Sequence, residues 1–415
     1  MTTPNWISRA GLCAAALGCL AVPSLAPLAA PASAATAAAA QQGVQVVEQT
    51  HSYLFNDSLH FQAEFAASMR IMNAFVFYEW EGSGRHWVYE GELSENRLLD
   101  VNVPLEAANQ PPPFTEVRYW FRFADLRGLV HESQVYSFFY DDNRYAWNSY
   151  QDGPFTLHWY AGDAGYAASI LAAARQGVLR TQALLPGAQL AAATLRVYED
   201  AADVQLIAGR SGIAWQAGHT DPAAEMLLLA LPPGPGQSLE VQRQVPHEVA
   251  HLMLYQTLGP EPYARLPVWL NEGIAAQAEL YSDPEAAALL AAAAGQGSLL
   301  PLAALCASFP QDAASARLAY AQAGDFVHYL VETYGQTGFH LLVDAYLHDG
   351  ECLGAPQQDF GTDLNGLQTA WQTARFTASP QGVEFWLAAV PWQTILASAG
   401  AALALFLVLR LSGRR

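Results

Sequence analysis

Two short stretches constrain this 415-residue chain more than anything else in it: "QVPHEVAHLML" at 244–254 and "PVWLNEGIAAQAE" at 267–279. In the first, His247 and His251 stand four residues apart. On a helix that spacing separates them by only about 40° around the axis, so both rings leave the same face. Glu272 follows 21 residues after His251, far enough for the first helix to end in "LGPEPYARLP" and a second helix to return across it. Bringing the three side chains together therefore requires two crossing helices. Pro246 either occupies the first helical turn, where its missing N–H does no harm, or kinks a helix begun near Ser238; His247 and His251 share a face in both cases.

Two imidazoles and one carboxylate form the donor set of a catalytic zinc site, which keeps a fourth position open for water. His247, His251 and Glu272 are the candidate Zn2+ ligands. Glu248 points to the side of the histidine face, where a general base would take a proton from the attacking water and pass it to the leaving amine. Trp269 and Leu270 anchor the turn before Glu272, and Gly273, Ala275 and Ala276 are small enough to let the two helices approach closely. His86, His131, His158 and His340 have no comparable partners and read as surface or hydrogen-bonded core residues.

With 52% hydrophobic residues the chain has material for several folded units, and its 19 basic residues, all arginine, face 38 acidic ones. The net charge of -19 argues against general nucleic acid binding. Residues 1–34 read as an export signal: Arg9, the apolar run "AGLCAAALGCLAV", then "APASA" before Ala35. Residues 390–409, "VPWQTILASAGAALALFLVL", carry no charge and match the length of a membrane-spanning helix, about 20 residues. Arg410, Arg414 and Arg415 follow, which places the 410–415 tail on the cytoplasmic side. The expectation is a single-pass cell-membrane protein of bacterial export type, with everything between signal and span facing outward. Ser398 and Ala402 are spaced as in spans that pack against one another, a route to self-association. Cys13 and Cys19 leave with the signal, so Cys306 and Cys352 remain as an expected disulfide, contributing about 4 kcal/mol at most in the chain-entropy picture.

Residues 44–141 hold alternating strand-like runs such as "LHFQAEFAA", "NAFVFYEWE" and "EVRYWFRFAD", separated by turn clusters. This pattern predicts an antiparallel β-sandwich similar to immunoglobulin or fibronectin type III modules, with no catalytic constellation of its own. "DDNRYAWNSYQDG" reads as a linker. From residue 154 the texture becomes α+β: a strand at "FTLHWYAG", a helix capped by Asp163, a strand at "ATLRVYED", a short helix, a strand at "AEMLLLALPPG", then helices from Ser238 onward. A second linker is expected at 377–389.

"HEVAH" followed by "WLNEGIA" resembles the gluzincin zinc metallopeptidases of the peptidase MA clan, particularly the peptidase MA-like domains of exported bacterial proteins. "AGHTDP", "LAYAQAGDFVHYLVETYG" (318–335) and "FGTDLNGLQTAW" (360–371) extend the resemblance over roughly 154–376. It implies a thermolysin-like fold, a peptide or protein substrate, and an edge strand above the cleft, expected at 226–231, that aligns an extended peptide by β-addition. Tyr320 lies in a segment that resembles the family, with His219 and His328 behind it, and is the candidate oxyanion donor. Two features depart from the family. "AAEMLLLA" does not supply the Gly-x-Met-Glu-Asn type loop of the clan's aminopeptidases, which argues against that activity. Ala276 stands where many gluzincins place an acid that orients a zinc histidine, leaving Asn271 or a backbone carbonyl for the task.

The sequence leaves three readings: an outward-facing zinc metallopeptidase, a non-catalytic zinc-binding sensor on a peptidase fold, and a metal-dependent hydrolase of a non-peptide bond. Glu248 favours the enzymes, since a pure binding module has no need of a carboxylate beside the open position.

Overall fold

The computed structural model describes residues 43–95, 97–208, 218–349 and 351–377. The expected signal peptide, membrane span and cytoplasmic tail lie outside these residues, as does all but the first residue of the expected 377–389 linker. Among the described residues no helix is long and apolar enough to cross a membrane. Among the described residues the chain divides into two compact units: one of 43–53, Ser58–Pro104 and Arg118–Ser137, the other of Leu54–Asp57, Leu105–Val117 and 138–377.

The N-terminal region is β-rich, with nine strands among the described residues: β1 (Val44–Leu54), β2 (Ser58–Ala67), β3 (Ile71–Trp80), β4 (Trp87–Glu90), β5 (Glu92–Leu93), β6 (Leu98–Pro104), β7 (Thr115–Asp125), β8 (Val130–Glu132) and β9 (Tyr136–Tyr140). They form sheets ordered β1-β2-β6-β5 and β4-β3-β7-β8, with β9 also on β7. The alternation in the sequence sets the register. Leu59, Phe61 and Ala63 pair with Val103, Val101 and Leu99 in antiparallel β2 and β6, all six buried on one face. A one-residue slip would turn every one of them to the opposite face.

The second unit contains a five-stranded sheet ordered β10-β11-β12-β14-β13: β10 (Asn148–Asp152), β11 (Phe155–Trp159), β12 (Ala193–Tyr198), β13 (Gly218–Asp221) and β14 (Met226–Ala230). β11, β12 and β14 run parallel, with β10 and β13 antiparallel at the two edges. This order corrects two expectations. The strand at 226–231 is not the edge: all five residues of β14 are buried, as a strand covered on both faces requires, and among the described residues the edge beside it is β13. The stretch expected as a linker instead supplies β10 and a polar clamp. Arg196 of β12 meets Asp141, Tyr198 reaches Asp142, and Arg144 bridges Asp142 and Asp203.

Helix α1 (Ala164–Leu184) connects β11 to β12 and starts where the Asp163 side chain accepts the Tyr166 N–H at 2.8 Å. After α2 (Ala201–Ala208) and the last two strands come α3 (Gln237–Leu258), α4 (Pro260–Tyr263), α5 (Val268–Ala278), α6 (Ala286–Gln296), α7 (Ala313–Asp349), α8 (Gln357–Phe360) and α9 (Leu364–Gln372). Gly335, with φ 66°, interrupts α7 and divides it in two. Val249, Leu252 and Met253 of α3 pack with Leu195, Leu229 and Ile170 in the sheet core. Trp269, Leu270 and Ile274 of α5 pack with Phe326, Tyr346 and Trp371 in a separate helical core. Helix α3 reaches both bodies of apolar side chains, since its Leu254 joins the helical core that holds α5. The small residues of α5 serve two neighbours rather than one. Ala275 meets Ala250 of α3, whereas a side chain at Gly273 would fall 2.6 Å from the Ala323 carbonyl oxygen of α7.

The expected disulfide is present between Cys306 and Cys352. The Cys306 carbonyl accepts the Val268 N–H at 2.9 Å, satisfying a donor that the first turn of α5 would otherwise leave open. The cross-link is therefore tied to the start of the helix that carries Glu272.

Candidate metal centre

Helices α3 and α5 bring His247, His251 and Glu272 together, with one potential ligand atom of each lying within 4.8 Å of the others. Both histidines turn Nε2 toward the same carboxylate oxygen: Glu272 Oε2 lies 3.2 Å from His247 Nε2 and 3.4 Å from His251 Nε2. A tetrahedron with zinc–ligand bonds of 2.0–2.1 Å has an edge of about 3.3 Å. The donor types and these two separations fit zinc with little rearrangement.

The other nitrogen of each ring is held from behind. Asn271 Oδ1 lies 3.1 Å from His251 Nδ1, and the Asn271 amide donates to the Tyr263 hydroxyl at 3.0 Å, which orients its oxygen toward the ring. Asn271 thus holds His251 as the sequence suggested. Behind His247 stands Glu279, with Oε1 3.0 Å from Nδ1. The sequence reading missed this contact, although Glu279 lies seven residues after Glu272 and so on nearly the same helical face.

Electrostatics follow from these contacts. Burial opposes charge on His247, but hydrogen bonds and attraction from Glu272 and Glu279 outweigh it and hold the pKa well above the ordinary value. Burial is likewise outweighed at His251, mainly by attraction to Glu272, and its pKa is raised. Burial would raise the Glu272 pKa, yet the two histidines lower it strongly. Without metal the cluster is an ion pair that holds protons where a metal would bind.

Glu248 lies beside this cluster, and the edge strand β13 sets its position. Thr220 donates its hydroxyl to Glu248 Oε2 at 2.5 Å. Gly218 leaves room for the other oxygen, because a Cβ there would sit 2.6 Å from Glu248 Oε1. Since the clash falls on the tip of a flexible side chain, Gly218→Ala should displace the carboxylate rather than the backbone. If the site hydrolyses peptides with bound zinc, the expected outcome is hydrolysis reduced about 100-fold, the order of loss from misplacing a reacting group by an ångström, with zinc content and Tm unchanged. Undiminished hydrolysis would show that Glu248 needs no fixed position.

Gly218, His219, Thr220, Tyr263 and Tyr320 complete the lining of the pocket around the cluster. Tyr320 stands with its ring 6.5 Å from that of His247, in edge contact with Phe309. His219 is also brought to the pocket, but His328 is not; it is exposed and pairs with Glu332 on its own helix. Tyr263 was not anticipated. Burial pushes its phenol up to about 12, so it stays protonated and can donate while its oxygen accepts from Asn271. Its signal in the sequence is faint, a single tyrosine in the turn between the two ligand helices.

Helices α3 and α5 hold this cluster between them beside a small mixed sheet. Residues 173–377 match the family model described as Peptidase MA superfamily. No curated protein matches the sequence. Among solved structures the chain is similar to an M1 zinc metallopeptidase from Deinococcus radiodurans, at 13% identity and TM-score 0.31, covering 81% of this chain and 95% of that one. It is also similar to a point mutant of a two-domain M1 zinc metallopeptidase bound to L-arginine, at 13% identity and TM-score 0.35, with 80% and 94% covered. A carbohydrate-binding module of family 56 that binds β-1,3-glucan matches at 15% identity and TM-score 0.16, over 22% of this chain and 98% of that one.

Proposed function

We propose that the chain is an outward-facing zinc metallopeptidase, exported by residues 1–34 and tethered by residues 390–409. The observation that carries the reading is the pair of histidine Nε2 atoms turned on one oxygen of Glu272, at 3.2 and 3.4 Å, with the Glu248 carboxylate held beside them. His247, His251 and Glu272 would hold the ion. Bound there, zinc would supply a Lewis acid that lowers the pKa of water and polarises a peptide carbonyl.

The remaining work falls to the chain's own side chains. Glu248 takes the proton from water and returns it to the departing amine, with Thr220 fixing one oxygen so that the other is free for transfer. The β13 edge lies along the pocket, where an extended peptide can add as a further strand and present one backbone carbonyl to the site. Tyr320 is assigned the role of donating to the oxyanion that forms. Tyr320→Phe should therefore lower kcat by about 100-fold with KM and zinc content unchanged. If Tyr263→Phe does this instead, the donor is the other phenol.

The test of the whole reading is to purify the full chain in detergent, measure its zinc content and incubate it with a peptide library. One zinc per chain with cleavage of internal peptide bonds is expected. Well-folded protein without zinc removes the metal reading, and zinc without cleavage of any peptide favours the sensor.

A further inference from the structure

A proline directly before the first histidine of the motif is costly inside a helix, and Pro246 does lie inside α3. Proline lacks the N–H that would bond the carbonyl four residues back, here that of Gln242. That carbonyl has found another donor: it accepts the N–H of Leu280 at 2.9 Å. Leu280 directly follows Glu279, the residue at the end of α5 whose carboxylate meets His247 Nδ1. The gap that Pro246 opens in one helix is filled by the backbone that delivers a side chain to the next residue, His247.

Helix α1 supports the same place twice. Gly177 lies against the proline turn so closely that a Cβ would come within 2.8 Å of Pro246 Cα. Three residues on, Arg180 Nη1 donates to the Glu279 carbonyl at 2.7 Å. Position 276, one turn after Glu272, is an alanine lying near Gly324 of α7, where an added Cβ would sit 3.2 Å from the Ala276 methyl. An acid at 276 would have to share that space with α7, whereas one at 279 is free to turn back to His247.

We infer that Glu279 is the positioning residue for His247, and that Pro246 places it by freeing the Gln242 carbonyl to anchor Leu280. A carboxylate on Nδ1–H fixes the tautomer, aims Nε2 at the ion and makes it a better ligand. The inference rests on the metal reading of the site and adds to it how the chain orients a histidine without an acid at 276.

The test compares zinc Kd, by chelator competition on the full chain, for wild type, Glu279→Ala, Glu279→Gln, Pro246→Ala and the Glu279→Ala/Pro246→Ala double variant, with visible spectra of the cobalt-loaded proteins. Glu279→Ala should weaken zinc binding about 10–100-fold and alter the cobalt spectrum. Glu279→Gln, which keeps an acceptor and the packing, should fall between, and it carries the test if the alanine variant does not fold. Pro246→Ala restores a competing N–H for the Gln242 carbonyl and should weaken binding several-fold. The double variant should be no worse than Glu279→Ala alone, because both changes act through one contact. Variant affinities within twofold of a zinc-binding wild type would overturn this inference alone, as would additive losses in the double variant for the role given to Pro246. A wild type that binds no zinc would overturn the metal reading and this inference with it.

Discussion

Glu248→Gln is expected to lower kcat for peptide hydrolysis by about a thousandfold, within the range that a positioned acid–base group contributes, while zinc stays at one per chain. Glutamine has the same shape and still accepts the Thr220 hydroxyl, so the pocket keeps its form. It cannot take up a proton. His251→Ala provides the contrast, losing metal and activity together because it removes a ligand. Zinc measured beside turnover in both variants separates the base from the ligands. Hydrolysis by Glu248→Gln at the wild-type rate would end the assignment of the base.

The second large effect is on pH. Zinc needs the free Nε2 of both histidines, and in the metal-free site His247 and His251 hold protons above their ordinary pKa of 6.5. Binding must displace these protons, so zinc affinity rises with pH, by about tenfold per pH unit for each proton displaced. The metal-free fold responds in the opposite sense. A raised histidine pKa contributes stability that is full below 6.5 and is lost as pH climbs through the folded value. The lowered Glu272 pKa contributes above its ordinary value of 4.5 and is lost as pH falls through the folded value. Both contributions are present between about 4.5 and 6.5. Isothermal titration at pH 6 and pH 8 in buffers of different ionisation heat should report the released protons directly. The zinc-induced rise in Tm should be larger at pH 8. A Kd independent of pH would mean that the histidines are not the ligands.

What the sequence made legible was whatever repeats with a helical period. His247 and His251 announce themselves by spacing, and Glu272 by its distance and the apolar pair ahead of it. Asp163, an N-cap, was legible for a similarly local reason, and the cysteine pair because Cys306 and Cys352 are the two left in a chain expected to be exported. The groups that tune the site come from packing between elements. Thr220 and Gly218 reach Glu248 from β13, a four-residue strand with little apolar signal, and Glu279 reaches His247 because α5 ends against the proline turn. The misplaced edge strand had a readable cue. "MLLLA" is apolar at every position, as suits a strand covered on both faces, whereas "GHTD" has the polarity of an edge. The linker was misjudged because its aspartates look solvated until Arg196, a buried charge on β12, is seen to need Asp141.

The edge strand also sets a ruler. The described part of β13, Gly218–Asp221, is four residues long, so this ledge spans about 13 Å, and only every second residue turns its amide and carbonyl outward. In the proposed reading a guest seated there would be held over roughly its own four residues and recognised by main chain before side chain. A segment already paired within a folded sheet has no such groups to offer. For the proposed peptidase, the first requirement on a cleavage point is thus local slack in the target: a stretch long enough to straighten against the ledge, whatever its composition.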